Sequence, residues 1–423
     1  MILKDIDYLV TQNERRQILR DIDVRVEEKQ IKQIHTNLDG TGIVDCSGMA
    51  VLPGLINAHT HMELAARRGI SNNKPLFEWF DDLNVDALTG EWKRYAISVS
   101  LIELLRTGTT CVNDCYNTDP ETIAAVEHSG IRAVLSSYLR DDGERDEVRA
   151  TEQLSDAMAF HDTVEEVERI TPALGPHSIY NCTPEFLKRI SKTAADLDSM
   201  IHIHLAETEA EQDECFDAYG KSPVEHLKET NVLAQDVVVA HCVHIDESDL
   251  RLLVENEVGV AHCPCSNMKL GSGRFRLPVI ADRLPIGIGT DGVASNNNLN
   301  AFEEAKIASL YQKERDPSAA TAQQLLDHLT IEGAVAIGKS DEIGSIVPGK
   351  RADLIFIDLD DTTLTPRNPE LLVSHLIFSF NGPVKASMVD GEFVVKDGTV
   401  TGLDRREAIE GLGAALAKSP CVR

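Results

Sequence analysis

The stretch AVLPGLINAHTH at residues 50–61 runs from apolar residues into two histidines set two apart. An apolar run closed by polar groups is what a parallel strand buried on both faces looks like. If the stretch is a strand, His59 and His61 point to the same side, because side chains alternate along extended backbone, and the pair can share one metal ion. Similar runs recur at GTTCVND (108–114), IRAVLSS (131–137), ITPALGPHS (170–178), MIHIHLAE (200–207), VVVAHCV (237–243), VGVAHCP (258–264) and PIGIGTDG (285–292), eight in all, with helical stretches between them. Strand and helix alternating over this length predict an α/β protein built on a closed (β/α)8 barrel of the TIM type. Catalytic groups of such a barrel stand at the C-terminal tips of its strands.

Outside these runs the pattern changes. Residues 23–34, DVRVEEKQIKQI, alternate apolar and polar positions, and β patterns return at RADLIFIDL (351–359), VKASMVDG (384–391) and EFVVKDGTV (392–400). We expect a small β-sandwich domain built from residues 1–52 and 345–423, and a catalytic barrel spanning 53–344. The tail RREAIEGLGAALAKSPCVR (405–423) reads as an amphipathic helix that packs on the body or on a partner subunit. After His61, residues 66–88 are rich in turn formers yet carry Phe77, Trp79 and Phe80, which suits a lid over the strand tips. The same aromatics serve equally well as simple packing.

The chain of 423 residues is 42% hydrophobic, ample for a large core. With 69 acidic against 41 basic residues its formal net charge is −28, a surface that repels nucleic acid and anionic membranes. Ordinary solubility explains such acidity, and so does adaptation to a salt-rich cytoplasm that screens the repulsion. No basic-then-apolar leader opens the chain and no run approaches the ~20 apolar residues of a membrane span, so a cytoplasmic enzyme is expected. The nine cysteines include no C-x-x-C pair, which fits reduced thiols and argues against Cys263 and Cys265 as soft metal ligands.

His59, His61, His204 and Asp291 form the candidate ligand set for one divalent ion, zinc before iron, since imidazole and carboxylate suit both. Such an ion lowers the pKa of a bound water toward ~7. Glu207 follows His204 by three residues and is the candidate proton shuttle, an N-cap or salt-bridge carboxylate being the alternative. His241 ends another run and faces the same space, where it can polarise the attacking water or stabilise an oxyanion. His177 is placed to donate to a substrate ring nitrogen, or is structural. Helix-facing or core roles suit His202, His244 and His262, of which His202 shares strand parity with His204 and is the replacement should a ligand be misassigned. No lysine stands at the fourth tip to bridge two ions, so one ion is inferred. Any single histidine at a strand end also occurs as a satisfied core residue; the ordered set of tips carries the reading.

Together PGLINAHTH, PLFEWF, GTTCVND, GPHSIYNC, HIHLAET, AHCVH, CPCSNMKLGSG, GTDGVASNN and GSIVPGKRADL resemble the amidohydrolase superfamily. Within it, the chain is similar to deaminases of S-adenosylhomocysteine, methylthioadenosine and 5′-deoxyadenosine. The resemblance implies metal ligands at His59, His61, His204 and Asp291, a shuttle at Glu207, a water-orienting His241, substrate contacts at His177 and Trp79, and a dimer or tetramer. Water would attack the amino-bearing ring carbon, Asp291 would take its proton, Glu207 would protonate the adjacent ring nitrogen, and ammonia would leave. The pattern departs after Trp79: relatives carry a Pro and then a Glu suited to ribose hydroxyls, where this chain has Asp86 and Leu88, so that Asp86 or Glu91 would have to take that role. For a substrate carboxylate, Arg140, Arg145 and Arg149 are candidates, against the alternative of a solvated charged face. A second expectation is a deaminase or chlorohydrolase of a free nucleobase or s-triazine, and a third is a metal-free assembly protein on the same scaffold.

Overall fold

The computed structural model describes residues 1–83, 91–142 and 147–418; Asp86, Leu88 and Arg145 lie outside the described residues, as do 419–423 of the expected tail. Five strands open the chain, β1 (Ile2–Val10), β2 (Ile18–Glu27), β3 (Gln30–His35), β4 (Ile43–Asp45) and β5 (Met49–Pro53). The barrel strands follow: β6 (Leu55–His61), β7 (Thr109–Cys115), β8 (Arg132–Leu139), β9 (Ile170–Pro176), β10 (Ile201–Leu205), β11 (Val237–His241), β12 (Gly259–His262), β13 (Ile286–Ile288) and the short β14 (Asp291–Gly292). Late in the chain come β15 (Leu354–Asp358), β16 (Ala386–Val389), β17 (Glu392–Lys396) and β18 (Thr399–Val400).

All eight apolar runs become strands of one parallel sheet in the order β13-β12-β11-β10-β9-β8-β7-β6-β14. The last run closes it. Ile286–Ile288 pairs with β12, and Asp291 and Gly292, a few residues on, pair with Thr60 and His61 of β6. On β10 and β11, Ile203, Leu205, Val237 and Val239 pack outward into the large cluster shared with the surrounding helices. Their inward neighbours include small residues, and Ile56, Ala58, Cys111, Val238, Ala240 and Ala261 cluster with Ala334 and Ile337 to floor the barrel. The helix Ile331–Ala336 approaches so closely there that a Cβ on Gly259 would run into the Ala336 carbonyl. Pairing of β6 with β7 slips register between Asn57 and Thr60. Such a bulge turns a side chain to the other face: Ala58 joins the floor, while the next residue, His59, meets His61 and His204 above it.

The terminal strands form a second, nine-stranded mixed sheet in the order β18-β17-β16-β15-β5-β1-β2-β3, with β4 on β1. A bridge between Gln30 and Arg351 draws the β2–β3 hairpin toward the segment entering β15, around a core that includes Leu3, Ile6, Val24, Ile31, Leu354 and Phe356. A buried ion cluster joins the two sheets. Arg132 of β8 donates to Asp353 at 2.9 and 3.2 Å and to Asp390 at 2.7 Å. The C-terminal helix Arg405–Lys418 packs through Ala408, Leu412 and Leu416 on the body of the protein. Among the described residues no helix is long and apolar enough to cross a membrane.

Candidate active site

The tips of β6, β10, β11 and β14 bring His59, His61, His204, His241 and Asp291 into one buried group whose candidate ligand atoms lie within 4.8 Å of one another in sets of three. Nε2 of His61 is 3.3 Å from Nε2 of His204, and Nε2 of both His59 and His61 is 3.4 Å from Asp291 Oδ1. Bonds of about 2.0–2.1 Å at tetrahedral angles place ligand atoms roughly 3.3 Å apart. The spacing therefore fits a single ion.

Each ring is oriented from its far side. Nδ1 of His61 faces the Cys115 carbonyl at 3.3 Å, and Nδ1 of His204 lies 2.9 Å from both the His177 carbonyl and the Tyr116 hydroxyl. A carbonyl only accepts, so both rings carry their proton on Nδ1 and keep the Nε2 lone pair for the site. The buried Nε2 of His59 has no hydrogen-bond partner. An orphaned polar atom in a dry pocket is costly unless something occupies it. Burial pushes the His59 ring down to about 4, with the charge of His61 adding to it, and burial depresses His204 as well. Neutral imidazoles are the ligand form.

Asp291 sits at positive φ, 56°, which turns its carboxylate into the mouth where the last run leaves β13. Ser266 and Ser295 donate to its Oδ2 at 2.6 and 3.0 Å, leaving Oδ1 toward the histidines. Burial opposes its charge, yet the close His59, His61 and His241 rings hold the carboxyl well below the usual range. Glu207 is buried directly after β10. Burial pushes its carboxyl up, Ser272 Oγ donates to Oε1 at 3.2 Å, and Oε2 lies 3.7 Å from His241 Nε2. Nδ1 of His241 donates to Asn267 Oδ1 at 2.8 Å. Burial lowers that ring, but the charges of Glu207 and Asp291 outweigh it and leave it raised.

Aromatic rings wall one side of the mouth. Half-buried Tyr116 and Tyr138 lie 4.3 Å apart, and His177 sits among Tyr116, Tyr180 and Phe80 at 5.8 Å each. Burial and the charges of His61 and Arg140 take His177 down to about 3. Trp79, on the helix Leu76–Leu83, is buried and donates from Nε1 to the Ala294 carbonyl at 3.4 Å. That contact is packing, and the neighbouring Phe80 is the ring that reaches His177. Arg140 lies over Tyr138 and pairs with Asp142, as does Arg149.

His202 points inward as its parity predicts, but toward the back of His59 rather than into the mouth. His262 stacks on Phe275 at 4.1 Å, a core role, and His244 donates to the Ser272 carbonyl. Cys115, Tyr116, Ser266, Asn267 and Ser272 were not singled out by the sequence. Their one signal is position, in VNDCY and CPCSNMKLGSG directly after apolar runs.

Residues 50–394 match the model of the amidohydrolase family, and the chain belongs to that family. It is 38% identical over 388 residues to the 5′-deoxyadenosine deaminase of Methanothermobacter thermautotrophicus, covering 90% of each chain. It is 35% identical to the 5-methylthioadenosine/S-adenosylhomocysteine deaminase of Syntrophomonas wolfei, over 87% of this chain and 86% of that one. Among solved structures, an adenosine deaminase of Xanthomonas campestris with bound zinc superposes with a TM-score of 0.92 at 27% identity, over 99% of this chain and 98% of that one.

Proposed function

We propose that this protein is a zinc-dependent aminohydrolase that releases ammonia from an adenosine derivative, with 5′-deoxyadenosine, methylthioadenosine and S-adenosylhomocysteine as the leading substrates. The observation that carries the proposal is the convergence of Nε2 of His59, His61 and His204 with Asp291 Oδ1 at tetrahedral spacing, beside a raised, buried Glu207. The deaminases named above, and the zinc of the Xanthomonas structure, support it. Held by these four residues, a divalent ion supplies a water acidic enough to lose its proton near neutral pH. The chain's own residues do the rest.

Asp291, with Oδ2 fixed by two serines and Oδ1 accepting the Gly292 N–H at 2.7 Å, takes the proton of the attacking water. Glu207, whose buried carboxyl takes up a proton more readily than a free one, delivers a proton to the ring nitrogen next to the amino-bearing carbon. His241, raised and fixed by Asn267, presents Nε2 to the developing negative charge. His177, Phe80, Tyr116 and Tyr138 provide flat apolar faces for a heterocycle. The test is ammonia release by zinc-loaded protein across the three nucleosides, adenosine, free nucleobases and s-triazines. Turnover of a nucleoside is expected; turnover of free bases or triazines alone would transfer the assignment to them, and silence with metal bound would refute deamination.

A further inference from the structure

Behind the metal-facing edge of His59 lies a second buried group. Nδ1 of His59 is 2.9 Å from Nε2 of His202. Cys115 Sγ lies 3.1 Å from Nδ1 and 3.8 Å from Nε2 of His202, so it sits against the ring and off the Nδ1–H direction, and Ser136 Oγ is 3.5 Å from Nδ1. His59, His202 and Cys115 are all at 0% exposure, so water cannot serve in place of these partners. We propose that His202 is the positioning residue for the ligand His59, with His59 Nδ1–H donating to His202 Nε2. The proposal rests on the metal reading above.

The direction follows from proton counting. For Nε2 of His59 to serve as a ligand it must keep its lone pair, which puts the proton of the neutral ring on Nδ1. His202 Nε2 is the nearest acceptor to that proton. A neutral His202 that accepts at Nε2 carries its own proton on Nδ1, 3.5 Å from Ser136 Oγ. Run in reverse, with His202 donating to His59, the contact would leave a proton on His59 Nε2 facing Asp291 Oδ1, and the ligand position would be blocked. One arrangement of protons is thus open to metal and the other is closed.

Cys115 holds the other histidine of β6: its carbonyl receives Nδ1–H of His61 at 3.3 Å, while its sulfur packs against the His202 ring. The three side chains do not make a second ion site: 2.9 Å between the two imidazole nitrogens is a hydrogen-bond distance, shorter than the roughly 3.3 Å between ligands of one tetrahedral ion.

The experiment measures zinc dissociation constants by chelator competition on the full chain, together with the visible absorption of the cobalt-substituted protein, which reports ligand geometry. His202→Leu removes the acceptor; His202→Gln returns one, its amide oxygen lying near the position of Nε2. His202→Leu is expected to weaken zinc about 10- to 100-fold and shift the cobalt bands, and His202→Gln to recover affinity to within about threefold of wild type. Wild-type affinity and spectrum in His202→Leu would overturn the proposal, as would His202→Gln binding as weakly as His202→Leu, since shape alone would then be at work. Should His202→Leu not fold, His202→Phe carries the test: zinc weakened to a similar degree supports the contact, and unchanged affinity and spectrum sink it. Wild-type protein that takes up no metal would overturn both this inference and the metal reading, whereas tight wild-type binding with indifferent variants overturns this inference alone.

Discussion

Glu207→Gln isolates proton delivery from every other contribution of the site. Glu207 Oε1 accepts from Ser272 Oγ at 3.2 Å, its backbone N–H is held by Glu211 at 2.8 Å, and Oε2 faces His241. Glutamine has the same shape, keeps an acceptor for Ser272 and keeps the backbone anchor, but has no acidic proton to give. What disappears is general acid–base catalysis, typically 10²- to 10⁴-fold, or about 2.7–5.5 kcal/mol of transition-state stabilisation. Removing only the orienting hydrogen bond, in Ser272→Ala, should cost about 1 kcal/mol, roughly fivefold. The two variants should therefore differ by an order of magnitude or more. The assay is ammonia release from 5′-deoxyadenosine, with zinc per chain measured on the same samples. We expect Glu207→Gln to keep its zinc and a KM near wild type while kcat falls by the larger factor. A kcat within tenfold of wild type, zinc intact, would refute the shuttle role; loss of zinc would move Glu207 into the ligand set.

His61→Ala should lose stoichiometric zinc, and undiminished metal by elemental analysis would contradict the ligand assignment. Zinc at about 1,000 times its Kd should stabilise the wild-type fold by about 4 kcal/mol, so a chelator should lower Tm, and an unchanged Tm would argue against a site preformed in the folded state. Asn267→Ala frees His241 Nδ1 and should lower kcat about tenfold or more with zinc affinity unchanged; a change in affinity and not in kcat would reverse the roles assigned here. Arg132→Met leaves Asp353 and Asp390 buried without their shared partner and should cost about 3–5 kcal/mol at neutral pH. Burial opposes the charge of Asp390, but Arg132 outweighs it and holds that carboxyl low, so the stability it adds is present above the unfolded value near 3.8 and is lost as pH falls through the folded one. The deficit of Arg132→Met should accordingly shrink in acid, and a deficit independent of pH would show that lost packing dominates. With a net charge of −28, stability should rise between 0.1 and 1 M salt, as the Debye length falls from about 10 to 3 Å, and a flat Tm would tell against salt adaptation.

The barrel was legible because its strands are buried on both faces, so each is a continuous apolar run, and the polar residue ending a run marks the mouth. Even so, alternation alone, which pairs His59 with His61, does not describe how Ala58, one residue before His59, also faces the barrel interior; the register slip between Asn57 and Thr60 does. Trp79 shows a different limit. An aromatic in a turn-rich segment reads the same whether it lines a mouth or serves as packing, and only the Ala294 carbonyl, supplied from far along the chain, distinguishes the two. Cys115 and Asn267 were invisible for a related reason. Their partners His61 and His241 lie on other strands, and no local periodicity encodes a hydrogen bond between strands.

Those bonds divide the site between two supports. On one side the Cys115 carbonyl at the tip of β7 holds His61 and His202 of β10 holds His59, so the metal-facing histidines of β6 are oriented from behind. On the other, a single segment, the helix Pro264–Lys269 and the turn after it, supplies Ser266 to Asp291, Asn267 to His241 and Ser272 to Glu207. Those are the three groups assigned to proton handling, and they come from three different strands. A proton relay needs its members held at fixed mutual distances, and a short rigid segment touching all three achieves this with fewer independent degrees of freedom than three separate anchors. The geometry therefore couples Glu207, His241 and Asp291 to one another more tightly than to His59 and His61. Only Asp291 belongs to both halves: its Oδ1 faces the histidines and its Oδ2 the serines, which places the link between ion binding and proton transfer on that one carboxylate.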